Sequence, residues 1–121
     1  MLQIRPTQIR MFADVEVRKF EDWTVRHIRT FFPNAASGWN DEEIGELIRY
    51  GLERALAHGI RSRSGVCKYI DLMVAFGRDF DTDPGCPWAE SALRDWHSES
   101  GKVEALFRAG LREEAKRRRA F

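Results

Sequence analysis

The sequence predicts an all-α domain, and three observations carry that prediction. Apolar side chains recur at steps of three to five over most of the chain. No segment sustains period-two alternation with β-branched residues, which strands require. Glycine, proline and capping residues punctuate the chain at the spacing of helix ends. The 121 residues, 43% hydrophobic and 32% charged, suit a single domain over residues 1–121 with enough apolar surface for a core.

The first helix is expected from about Pro6 to Phe31, with Ile9, Phe12, Val15, Phe20, Trp23, Ile28 and Phe31 as its stripe. Pro6 suits a first turn, where its missing N–H costs nothing. Pro33 is expected to stop the helix, because the residue before a proline avoids helical angles. Asn34 to Asn40 then reads as a polar loop holding Gly38 and Trp39.

The second helix has the clearest start. Asn40 caps it, Asp41, Glu42 and Glu43 match the positive end of the helix dipole, and Glu43 completes a capping box. Its stripe is Ile44, Leu47, Ile48, Gly51, Ala55 and Leu56, and Gly59 ends it. Gly51 and Ala55 form a small-residue patch where another helix, or a second copy of the chain, can approach closely, so self-association is open.

Ser62 or Ser64 caps a third helix to about Phe76, the most apolar and therefore central, closed by Gly77. A turn-rich loop, Arg78 to Cys86, follows. Pro87 opens a short helix carrying Trp88, Ala89, Ala92 and Leu93. A last helix begins at Ser98 or Ser100, and a basic end at 113–121 complements its C-terminal dipole.

The motifs exclude more chemistry than they suggest. Asp79, Asp81, Asp83 and Glu90 match the acidic positions of an EF-hand calcium loop. Pro84 stands where that loop needs glycine, so turn-forming aspartates are the preferred reading and no metal site is expected there. His27, His58 and His97 lie in three segments with no metal spacing; a partly buried, hydrogen-bonded His27, a helix-capping His58 and a buried apolar Cys67 are expected. No nucleophile elbow, phosphate-binding glycine loop or dinucleotide fingerprint is present, so the chain is read as no enzyme and as having no cofactor.

Basic and acidic residues nearly cancel, 20 against 19, which argues against nucleic acid as a partner. The longest apolar run, Leu72 to Phe76, is far below the roughly 20 residues of a membrane span. Met1 to Phe12 lacks the apolar stretch of a signal peptide, so a cytoplasmic location is expected. Four tryptophans in a small domain, three of them at connections, point to protein contacts. Trp88 is expected to plug the core beneath the acidic loop. Trp39, Trp96, Phe80 and Arg78 are the expected protein-binding residues.

Several motifs together resemble those of small all-helical bacterial proteins encoded beside type VI secretion spike, PAAR or effector genes. They are Phe32-Pro33, the Gly51…Ala55…Gly59-Ile60 helix end, Tyr69-Ile70-Asp71-Leu72-Met73, Phe76-Gly77-x-x-Phe80-Asp81-x-Asp83-Pro84 and Pro87-Trp88-Ala89. The resemblance covers roughly residues 1–96. That group has no assigned activity, so it carries over no functional residue. It implies a setting: an adaptor or chaperone-like accessory for a secreted effector, toxin or spike component. An immunity protein that neutralises a cognate toxin, or a small helical enzyme or effector, are the alternatives.

Overall fold

The computed structural model describes residues 14–119, and these form six helices with no strand among the described residues. They are α1 (Asp14–Phe31), α2 (Pro33–Ala36), α3 (Asp41–Ala57), α4 (Arg63–Phe76), α5 (Pro87–Asp95) and α6 (Glu99–Arg119). The all-α prediction holds. The Pro6 start of the first helix lies outside the described residues.

Most helix ends follow local chemistry. Asn40 accepts from the Glu43 N–H, and Glu43 in turn accepts from the Asn40 N–H, both at 2.8 Å. Ser62 accepts from the Gly65 N–H and starts α4. Gly59 and Gly77 close α3 and α4 with φ of 82° and 114°, the left-handed side that glycine reaches cheaply. One expectation fails. Pro33 does not merely stop a helix; it occupies the first turn of α2, and the expected Asn34–Asn40 loop is shortened by that helix.

Helix α4 is central, packed against α1, α3 and α6, while α5 lies along α6. The core gathers Ile28, Ile44, Ile48, Tyr69, Ile70, Met73, Phe80 and Leu106. The Gly51 patch is already taken: a Cβ there would meet Ile70 Cγ1 and Met73 Sδ at 2.7 Å. It is the α3–α4 contact, so it offers no seam for a second copy.

The first turn of α6 ties down the α3–α4 connection. Glu99 accepts from the Ser62 N–H at α4's start, and the Lys102 ammonium donates to the His58 carbonyl at α3's end, each at 2.8 Å. Trp88 is partly buried and stacks on Phe80 with ring centres 6.0 Å apart, also meeting Phe76 edge-on at 4.9 Å. It seats against the core from below the acidic loop, as expected.

Candidate functional site

The acidic loop is clamped by one face of α3. Tyr50, Arg54 and His58 follow one another at four-residue steps and so share a face. The Tyr50 hydroxyl donates to Asp79, the Arg54 guanidinium donates to Asp81, and His58 Nε2 lies 2.9 Å from the same Asp81 oxygen. Arg78 stacks over the Tyr50 ring, 4.1 Å from its centre. Asp83 accepts from the Gly85 N–H at 2.8 Å, an Asx-turn.

Asp81 is completely enclosed. Burial alone would raise its carboxyl, but the hydrogen bonds from His58 and Arg54 outweigh that and hold its pKa below the usual carboxylate range. The neighbouring Tyr69 hydroxyl is pushed up, first by burial and then by the Asp81 charge. These aspartates are spent on different protein partners, and Glu90 stands exposed on α5. The calcium-loop arrangement of Asp79, Asp81, Asp83 and Glu90 is therefore not made. The motif is a fastener.

One of the expected protein-binding residues needs correction. Phe80 has no exposed surface; it packs against Tyr69 at 5.0 Å, drawn inward because its neighbour Asp81 is anchored. Trp39 is partly buried against the core. Trp96 is half exposed, its ring resting on Gly101. Arg78 is exposed but committed to Tyr50.

The surface that stands out lies elsewhere, on α1, α4 and α6. Trp23, His27 and Phe31 form a ladder at four-residue steps along α1. Trp23 and His27 stack with centres 5.1 Å apart and planes 16° from parallel, and Phe31 tilts against His27 at 4.9 Å. Trp23 and Phe31 are 49% and 67% exposed, and Leu111 on α6 is 57% exposed. Isolated apolar residues at a surface need no explanation, but these border adjoining clefts.

A cleft of about 450 Å³ runs between Trp23, His27, Cys67, Lys68, Asp71 and Phe107. A second, of about 530 Å³, lies between Phe31, Leu72, Phe76, Phe107 and Leu111. Phe107 and Asp71 line both, so the two clefts adjoin as one trough. Arg63 and Lys68 rim the first, Arg117 and Arg118 the second. A larger cleft of about 730 Å³ adjoins at Lys68 and Phe107. The nearby N-terminus of α4 already holds the carboxylate of Glu99, so its N–H groups are not set for a phosphate.

Inside the first cleft His27 Nε2 lies 2.9 Å from Asp71 Oδ1, across the α1–α4 contact. Burial pushes the Asp71 carboxyl up, with His27 opposing it. Cys67 sits one turn before Asp71 on α4, and burial pushes its thiol up to about 12. A thiol, an imidazole and a carboxylate are thus neighbours, but the sulfur stays protonated at neutral pH and is not an activated nucleophile. The partly buried, hydrogen-bonded His27 and the buried Cys67 agree with the sequence reading. Their proximity was missed, because 40 residues separate them; the four-residue step from Cys67 to Asp71 was the available signal.

No protein-family model matches the chain, no curated protein is significantly similar to it, and no solved structure matches it. Among the described residues no helix is long and apolar enough to cross a membrane.

Proposed function

We propose that the protein is a non-catalytic interaction module that binds another protein through the trough between α1, α4 and α6. The observation that carries this reading is the adjacency of the two clefts, with Trp23, Phe31 and Leu111 exposed at their edges around a shared Phe107. Exposed aromatics flanked by arginines are the residue types that anchor protein interfaces. The rim sets the partner's chemistry. Arg63, Lys68, Arg117 and Arg118 outnumber Asp71 and Glu114, and Asp71 is engaged by His27. The fitting partner presents apolar side chains flanked by acidic ones.

The sequence resemblance makes a secreted effector, toxin or spike component the partner class to test first, with the chain acting as its adaptor or chaperone-like accessory. The test is parallel affinity capture from host lysate with the wild-type chain and a Trp23→Ala/Phe31→Ala variant. Recovery of one stoichiometric protein by the wild type, lost in the variant while both melt alike, is the expected result. Equal capture by both chains, or none by a folded wild type, overturns the reading.

A further inference from the structure

We propose that His27, Cys67 and Asp71 form a three-ligand zinc site, with its fourth position open to the aromatic cleft. The site lies in the first cleft of that trough, but the inference does not rest on partner binding. Donor atoms from the three residues lie within 4.8 Å of one another, and they are the one such group of three among the described residues. Two of them, Cys67 and Asp71, share a face of α4 by their four-residue spacing; the third comes from α1, packed alongside. The framework of the site is therefore fixed by helix packing rather than by loops.

The donor set selects the metal. One thiolate, one imidazole and one carboxylate make a borderline-soft set that suits Zn²⁺; calcium and magnesium need oxygen alone. Tetrahedral coordination at ordinary zinc bond lengths puts donor atoms about 3.3–3.7 Å apart. The group reaches that spacing by side-chain rotation: Cys67 moves inward, and His27 and Asp71 part slightly from 2.9 Å. The ion takes the place of the proton between imidazole and carboxylate. It also displaces the thiol proton to solvent, so each zinc bound releases protons.

Charge balance supports the same assignment. Zn²⁺ with one thiolate, one carboxylate and a neutral imidazole is electrically neutral, which suits a cleft walled by Phe20, Trp23 and Phe107. Burial that disfavours a bare thiolate at Cys67 ceases to do so once the metal supplies the opposite charge. Lys68 and Arg63 also line the cleft and oppose a dication, but Lys68 is directed over the Phe107 ring, 5.6 Å from its centre. Three protein ligands leave one position for water or an incoming group, the pattern of an open zinc site.

The experiment is titration of the chelator-treated chain with Zn²⁺ against a chromophoric competitor, followed by substitution with Co²⁺. One ion per chain is expected, and the Co²⁺ form should show a thiolate-to-metal charge-transfer band with intense tetrahedral visible absorption. Cys67→Ser should abolish that band, and His27→Ala should weaken zinc by about 100-fold or more, beyond the 10–100-fold typical of losing an outer-shell partner. Asp71→Asn, nearly isosteric, guards against loss of fold and should weaken zinc likewise, while His97→Ala should change nothing. Absence of stoichiometric zinc binding by the folded wild type overturns the proposal. So does a charge-transfer band that survives in Cys67→Ser, or unchanged affinity in Asp71→Asn.

Discussion

Arg54 reaches from the last turn of α3 to the enclosed carboxylate of Asp81, and His58, four residues on, meets the same oxygen at 2.9 Å. The loop between α4 and α5 is thus held by a charge that has no access to water. Removing a partner of such a charge leaves it buried and undercompensated, which costs about 3–5 kcal/mol in comparable sites. Arg54 is itself a third exposed, which places its loss at the lower end. Arg54→Ala should therefore destabilise by about 3 kcal/mol and lower Tm by roughly 10 °C. Chemical denaturation with both chains in parallel measures it, and a loss below about 1 kcal/mol contradicts the clamp.

The same carboxylate gives the fold an acid limb. A group whose native pKa is depressed stabilises the fold above its unfolded value near 3.9, and that stabilisation disappears as pH falls through the native value. Asp71 acts in the opposite sense, since burial raises its carboxyl. Comparing the wild type with Asp81→Asn cancels Asp71, which both chains share. The gap in Tm between them should be wide at about pH 5 and narrow sharply by about pH 3. A gap that stays constant across that range rules out the depressed Asp81.

Phe80 and Trp96 make a paired test of which aromatics are structural. Phe80→Ala empties a fully enclosed position against Tyr69 and Trp88 and should cost about 3–5 kcal/mol. Trp96, half exposed, should cost under about 1.5 kcal/mol on the same change. Equal losses in equilibrium unfolding would mean that the two residues have been assigned to the wrong environments.

The contrast between these two shows where sequence legibility ends. Helix starts and stops were readable at Asn40, Ser62, Gly59 and Gly77, because a cap is made by residues within one turn of it. Pro33 was ambiguous on local grounds, since a proline that halts one helix is equally fit to begin another. Phe80, alone among aspartates, had no periodicity to mark it as core; its burial follows from a long-range bond made by its neighbour. The trough was also hidden. Trp23 and Phe31 sat on the apolar stripe of the first helix and read as core, and only tertiary packing shows them half or more outside it. Likewise His27 meets Asp71 solely because α1 and α4 pack side by side.

The paired grip of Glu99 and Lys102 bears on the order in which the chain assembles. An anion on the opening end of α4 and a cation on the closing end of α3 are complementary to those two helix dipoles. The two side chains stand three residues apart on α6, so sliding that helix by a turn, or reversing its direction, would bring each charge to the wrong terminus. Helix α6 is thereby keyed to a hairpin that precedes it in the chain, and synthesis from the N-terminus presents the lock ahead of its key.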